Sequence, residues 1–188
     1  YTQRSGTVFY QNTSVEVVQP VEGDTLYQRY LDRFGDGICC VRERIPEGDW
    51  EETLTRLATK GLKIAQRMEY SGCKAVWLDL TDSLGILFEV ITGENESTAS
   101  EYVMPQRIAQ INITTPDVRK TIETITDLLE IGPWEVGCQN KSTVTDSCFR
   151  VDGQLRDVDF SFLLAILPCG NIEWEAIQPV EGPLVYFD

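Results

Sequence analysis

The chain has 188 residues, of which 42% are apolar, and a formal net charge of −14 at pH 7. This acidity excludes proteins that bind nucleic-acid phosphates, because they need a basic surface. The longest apolar run, Phe160 to Leu167, is far below the roughly 18 residues that cross a bilayer. A chain of this size can bury a core of its own, and we expect neither a nucleic acid nor a membrane among its partners.

The cysteine and histidine content limits the available chemistry. Six cysteines form no CxxC pair, which favours reduced thiols in a cytoplasmic protein over a disulfide framework. There is no histidine, so the commonest general base and the commonest transition-metal ligand are both absent. Catalysis would have to use carboxylates, amides, thiols or tyrosines. Cys40 has no histidine partner that could activate it as a nucleophile.

The first 92 residues contain a partial unit and then a complete one. Residues 1–37 predict a terminal hairpin within 5–20 and a short connecting helix from Tyr27 to Phe34. Residues 38–92 predict a β-α-β-β-β module. Its elements are a strand at Ile38–Ile45, a helix at Trp50–Lys60 with Asp49 as candidate N-cap, and strands at Leu62–Met68, Ala75–Leu80 and Gly85–Ile91.

A polar linker at 93–106 separates this module from a second one at 107–188. The second module has the same predicted order of elements. They are a strand at Arg107–Thr114, a helix at Val118–Leu129, and strands at Trp134–Cys138, Asp157–Leu167 and Ile172–Gln178, the last two joined by a turn at 168–171.

One phrase occurs twice, 159 positions apart. Residues 15–27 are VEVVQPVEGDTLY and residues 174–186 are WEAIQPVEGPLVY, so that Glu16 matches Glu175 and Tyr27 matches Tyr186. The chain is therefore a tandem repeat, and its first 37 residues correspond to the end of a third module. We interpret the chain as a window of a longer modular protein, out of phase with its repeat.

Four phrases carry a family resemblance. They are LTDSLGILFEVI (80–91), RIAQINITTPD (107–117), EIGPWEV (130–136) and IEWEAIQPVEG (172–182). In this order and spacing they resemble the vicinal oxygen chelate superfamily, which includes glyoxalase I, extradiol dioxygenases and bleomycin-resistance proteins. They are most similar to its methylmalonyl-CoA epimerase-like branch. The resemblance implies an α+β fold in which paired β-α-β-β-β modules form a curved, cup-shaped mixed sheet with helices outside.

The resemblance also implies a metal site. In the family, the first and last strands of each module supply ligands to a divalent metal inside the cup. Carried over to this sequence, these positions are Cys40, Glu89, Gln110 and Glu175, and Glu16 is a further counterpart of Glu175. The oxygen ligands suit Mg²⁺, Mn²⁺ or Ca²⁺, while a thiolate suits Zn²⁺. Cys40 and Gln110 stand where the family usually has histidine, so a degenerate cup without metal is the alternative.

Two functions follow from the resemblance. One is an isomerase, epimerase or lyase, glyoxalase I-like or methylmalonyl-CoA epimerase-like, in which Glu89 or Glu175 removes a proton from a small carbonyl or acyl-thioester compound. The other is a metal-free protein of the bleomycin-resistance type that sequesters a small molecule, with Trp134 and Trp174 lining the cup. A hairpin with an open edge also predicts association, most simply as a homodimer.

Overall fold

A computed structural model describes residues 2–70, 72–93, 104–143, 150–151, 153–155 and 158–184. The chain divides into two compact units, Tyr1–Arg107 and Ile108–Asp188. Most of the predicted linker at 93–106 lies outside the described residues, as do Cys148 and Tyr186. None of the helices within those ranges combines the length and the apolar character needed to span a membrane.

The first unit opens with the predicted hairpin. Strand β1 (Thr2–Phe9) pairs antiparallel with β2 (Ser14–Glu22), and helix α1 (Leu26–Phe34) follows. The α1 helix begins after Thr25, whose Oγ1 accepts a hydrogen bond from the Gln28 backbone N–H at 3.0 Å. This side-chain cap satisfies one of the free N–H groups of the first turn, so the helix starts at a defined residue.

The predicted module at 38–92 forms a four-stranded sheet. Its elements are β3 (Cys40–Arg44), α2 (Trp50–Thr59), β4 (Ile64–Tyr70), β5 (Cys73–Leu80), α3 (Thr81–Leu84) and β6 (Ile86–Thr92). The strand order is β3-β6-β5-β4, with β3 parallel to β6 and the other pairs antiparallel. The long helical crossover between β3 and β4 is what allows the first strand to lie parallel to the last.

Helix α1 covers one face of this sheet, which we call the Glu89 face. This face of the sheet carries Leu87, Glu89 and Ile91 of β6. Ala75 and Trp77 of β5 lie on the same face, because they pair with Ile91 and Glu89. Leu26 of α1 is buried in the same cluster as Ala75, Trp77, Leu87 and Ile91, with Tyr27, Tyr30, Cys40 and Met68 packed against them. The connecting helix therefore completes a hydrophobic core on this face.

The second unit repeats the topology. Its elements are β7 (Gln110–Thr114), α4 (Val118–Leu129), β8 (Glu135–Asn140), the short pair β9 (Arg150–Val151) and β10 (Gln154–Leu155), β11 (Ser161–Cys169) and β12 (Ile172–Glu181). The strand order is β7-β12-β11-β8, with β7 parallel to β12. Val118 of α4 packs on Ala165 and Ala176, so the helix covers the face that these two alanines share.

The repeated phrase has the same backbone geometry in both copies. Gln19 pairs with Arg4, and Gln178 pairs with Leu163, so that both members of the second pair lie 159 positions after those of the first. In both ladders the register shifts after the next pair, which is Gln3 with Pro20 and Phe162 with Pro179. The glycine of each QPVEG segment then has a positive φ, 95° at Gly23 and 94° at Gly182. The phrase therefore specifies one kind of strand end, used twice.

Gly182 should be intolerant of a side chain. A Cβ there would lie 2.5 Å from the Asp159 carbonyl oxygen and 2.8 Å from the Phe160 Cα, at a φ that L-residues rarely adopt. We expect Gly182→Ala to lower the free energy of unfolding by about 2 kcal/mol, measured by urea denaturation. The matched control is Gly137→Ala in β8, where a Cβ meets nothing within 4 Å. Equal effects of the two substitutions would contradict this account.

Candidate functional site

The parallel pairing of β3 and β6 brings Arg42 directly beside Glu89. Arg42 Nε donates a hydrogen bond to Glu89 Oε2 at 2.8 Å, and Arg42 Nη2 donates another to Glu16 Oε2 on β2 at 3.0 Å. One guanidinium thus binds two carboxylates that come from two different sheets of the first unit. We call Glu16, Arg42 and Glu89 the Arg42 cluster.

The Arg42 cluster is buried on one side. The Glu89 side chain is 2% exposed, that of Glu16 is 25% and that of Arg42 is 42%. Burial raises the pKa of Glu89 because it disfavours the ionised form, and Arg42 opposes this shift by charge and hydrogen bonding. Burial lowers the pKa of Arg42, but Glu89 and Glu16 raise it by more, so the guanidinium stays charged.

Neutral groups surround the cluster. Trp77 Nε1 donates to the Tyr27 hydroxyl at 3.2 Å. Burial, then the charges of Cys40 and Glu89, raise the pKa of Tyr27, and burial, then Glu89, raise the pKa of the Cys40 thiol. Both groups are therefore protonated at neutral pH, and Cys40 is not a thiolate nucleophile there.

The expected metal ligands of the first unit do not fit a divalent cation. Glu89 is bound to a permanent cation, which would repel a second one. In the part of the chain that the structure describes, no group of three or more acidic or cysteine side chains could hold a metal ion. Hard cations require several free oxygen ligands, which this set of side chains does not offer.

The second unit presents a different pair at the corresponding position. Asn112 of β7 lies beside Glu175 of β12, and its Nδ2 donates a hydrogen bond to Glu175 Oε2. Gln110 lies beside Glu173 at the start of β7 and is exposed. Glu175 is half-buried and pairs across the sheet with Ile166 of β11. Its carboxylate thus has a neutral amide as partner, where Glu89 has a cation.

The two tryptophans predicted to line the cup lie on the other face of the second sheet. Trp174 is adjacent to Glu175 in β12, so it points to the opposite side, where it is buried. Trp134 packs against the cluster of Val118, Ala165 and Ala176, and its Nε1 donates to Thr126 Oγ1 of α4 at 3.1 Å. Both therefore belong to the helix-covered core, and we do not place them in the candidate site.

Sequence reasoning missed Arg42 and Asn112, the residues directly beside the two glutamates. Each is two positions after a predicted first-strand ligand, Cys40 or Gln110, and so lies on the same side of its strand. The spacing was available as a signal, because Arg42 and Asn112 occupy matching positions of the two modules. The partner of Arg42 in the hairpin, Glu16, was recognisable from the repeat.

The element order, the parallel first and last strands and the repetition of the module are those of the vicinal oxygen chelate fold. A triple variant of 4-hydroxymandelate synthase from Streptomyces coelicolor matches with a TM-score of 0.63 at 15% identity, over 97% of this chain and 54% of that chain. The chain thus spans about half the length of that structure. The predicted α+β fold is confirmed.

Further matches include two smaller enzymes. Methylmalonyl-CoA epimerase from Mycobacterium tuberculosis has a TM-score of 0.26 at 12% identity, over 77% of this chain and 89% of that chain. Lactoylglutathione lyase from Agrobacterium tumefaciens has a TM-score of 0.32 at 15% identity, over 76% and 92%. With scores this low they add nothing to the fold assignment. No protein-family profile matches the sequence, and no curated protein sequence matches it significantly.

Proposed function

We propose that this chain is a metal-free module that binds a small molecule, comparable in role to the bleomycin-resistance type of the fold. The single observation that carries this proposal is the binding of Glu16 and Glu89 by Arg42. Both glutamates are thereby withdrawn from metal coordination. Glu89 is also withdrawn from proton abstraction, because a general base must reach its substrate and this side chain is 2% exposed.

The surface best suited to a ligand is the face of the second sheet that bears Glu175. It offers the carboxylate of Glu175 and the amides of Asn112 and Gln110 beside the half-buried side chains of Ile166 and Phe162. Polar groups at fixed positions next to apolar surface are typical of small-molecule sites, where the apolar part supplies affinity and the polar part orientation. A ligand with hydrogen-bond donors and an apolar body fits this chemistry.

Substitution of Asn112 tests this assignment. Bleomycin and a panel of small carbonyl compounds and acyl thioesters are screened by thermal shift, and dissociation constants are measured by calorimetry for each compound that binds. We expect Asn112→Ala to weaken binding about tenfold, since it removes one polar contact and leaves Glu175 without its partner. The matched control is Glu123→Gln on the exposed side of α4, which should leave affinity unchanged. Equal affinities for both variants would place the ligand elsewhere.

A second candidate function is the isomerase, epimerase or lyase activity that the family resemblance implies. The observation in its favour is that Glu175 is half-buried and that its carboxylate accepts a hydrogen bond from the Asn112 amide, where Glu89 is bound by a cation. The test is exchange of the α-proton of an acyl thioester in D₂O, followed by NMR. If the protein is an enzyme, Glu175→Gln should lower the exchange rate at least about 100-fold, whereas Glu89→Gln should change it little. Absence of exchange in the unchanged protein favours the binding function.

We also propose a homodimer in a reducing, cytoplasmic compartment. The hairpin leaves Val8, Val15 and Val17 between 42% and 68% exposed, whereas Trp174 and Ala176, the counterparts of Val15 and Val17, are buried in the second unit. Exposed apolar surface of this kind favours association, which light scattering would measure. All five cysteines that the structure describes are free, which suits a compartment that keeps thiols reduced.

A further inference from the structure

One strand position occurs three times in this chain and carries glutamate each time. Glu16, Glu89 and Glu175 lie on β2, β6 and β12, where they pair antiparallel with Thr7, Trp77 and Ile166. The strands of Glu89 and Glu175 each have a second neighbour, the first strand of the same module, which pairs with them in parallel. The residue directly beside the glutamate is then Arg42 in the first unit and Asn112 in the second.

Arg42 bridges two copies of this position at once. Its Nε binds the glutamate of its own module, Glu89, and its Nη2 binds that of the hairpin, Glu16. Without the guanidinium, two carboxylates from different strands would face the same point, one of them buried. Two like charges in such a place repel each other strongly, and converging carboxylates are also the arrangement that divalent cations prefer.

A metal cannot readily displace this cation. Arginine does not lose its proton at any physiological pH, and the Arg42 guanidinium donates hydrogen bonds to Glu89 at 2.8 Å and to Glu16 at 3.0 Å. Arg42 is also part of β3, so it is held at the two carboxylates within the chain, and a free metal ion must compete with it. The geometry points to a built-in cation that competes with metals within the chain.

We propose that Arg42 excludes divalent metals from the Glu16–Glu89 pair, and that this pair becomes a metal site once the guanidinium is replaced by a neutral ligand. The inference stands whether the second unit binds its ligand or converts it. It assigns a charge-replacing role to Arg42. The site it predicts lies wholly within the first unit.

The test is a gain of metal binding in Arg42→His, which puts an imidazole beside the two carboxylates. Calorimetry with Mn²⁺, Co²⁺ and Zn²⁺, together with the visible absorption of Co²⁺, measures affinity, stoichiometry and ligand type. We expect the unchanged protein to bind no tighter than about 1 mM, and Arg42→His to bind one equivalent at least about 100-fold more tightly. The double variant Arg42→His/Glu89→Gln should lose this binding.

Two controls separate this site from the general acidity of the surface. Arg42→Lys keeps a cation at the position and should not gain binding. Arg33→His changes an exposed ion pair, Arg33 with Asp82 at 2.8 Å, and measures what any surface arginine contributes. A similar gain in Arg33→His would overturn the proposal, because the effect would then not belong to the Glu16–Glu89 pair.

Folding of the variant does not limit the test. If Arg42→His is unfolded without metal, Co²⁺ should restore its β-sheet circular dichroism, since a ligand that binds the folded state stabilises it. Failure to bind metal, and failure of metal to restore folding, would each overturn the proposal. So would tight, Glu89-dependent binding of one metal ion by the unchanged protein, because Arg42 would then not keep metals out.

Discussion

Replacement of Arg42 by methionine is expected to lower the free energy of unfolding by about 3 kcal/mol at pH 7. The substitution leaves the Glu89 carboxylate, 2% exposed, without a cation. Loss of one partner of a buried ion pair typically costs about 3–5 kcal/mol, and the lower end applies here because Arg42 is itself 42% exposed. Urea denaturation followed by tryptophan fluorescence measures this difference.

The loss should depend on pH in a defined direction. Burial raises the pKa of Glu89 above its ordinary value of 4.5, against the opposing effect of Arg42. The folded state therefore holds this proton to a higher pH than the unfolded state, and stability falls as pH rises from 4.5 through the raised pKa. In Arg42→Met the opposing effect is gone, so this window extends upward. The difference between the two proteins should be largest near pH 7 and should shrink toward pH 5.

Two variants show whether the effect belongs to the buried charge. Arg33→Met removes an ion pair whose side chains are 54% and 90% exposed, and exposed pairs contribute about 0–1 kcal/mol. Glu89→Gln in the Arg42→Met background removes the stranded charge and should recover much of the lost stability. An equal loss in Arg33→Met, or a loss in Arg42→Met that is constant between pH 5 and pH 8, would contradict the explanation.

Local signals in the sequence predicted the elements of both modules well. Helix α4 has the predicted bounds, because its apolar stripe is regular and Asp117 caps it, accepting a hydrogen bond from the Lys120 N–H at 3.0 Å. The strands of the first module shift by only one or two residues. The turn predicted at 168–171 is shorter than expected, since β11 continues through Cys169 and β12 begins at Ile172.

Contacts between distant segments could not be predicted in the same way. The sequence indicates a helix at Tyr27–Phe34, but its periodicity does not indicate that the helix packs on the Glu89 face. The hydrogen bond between Trp77 and Tyr27, for example, joins residues that are 50 positions apart. That packing turns an expected cup surface into core. It also explains why Cys40 and Tyr27 are neutral, since burial is the largest cause of both pKa shifts.

Strand alternation could have corrected one expectation without a structure. Trp174 precedes Glu175 directly, so the two cannot point to the same side of β12, and a cup that contains the carboxylate excludes the indole. Alternation does not help with Cys40 and Arg42, because they are two residues apart and share a side. Only the register of β3 against β6 shows that Arg42 is the neighbour of Glu89.

At pH 8, alkylation of Cys40 is expected to be at least about 100-fold slower than alkylation of Cys138. The thiolate is the species that reacts, and burial together with the charge of Glu89 raises the pKa of Cys40, so its thiolate fraction is very small. Cys138 is exposed on β8, and Cys73, 1% exposed, should be as slow as Cys40 or slower. Iodoacetamide labelling with peptide mass spectrometry measures all three sites in one sample.

Two comparisons make the labelling result specific to this environment. In denaturant the rates should become similar, because burial is lost and the sites share an ordinary thiol chemistry. Glu89→Gln should raise the Cys40 rate in the folded protein, since it removes the negative charge that raises the pKa of Cys40 most, while the Cys138 rate stays the same. If Cys40 reacts as fast as Cys138 in the folded protein, the Glu89 face is open to solvent, and Cys40 becomes a candidate nucleophile despite the absence of histidine.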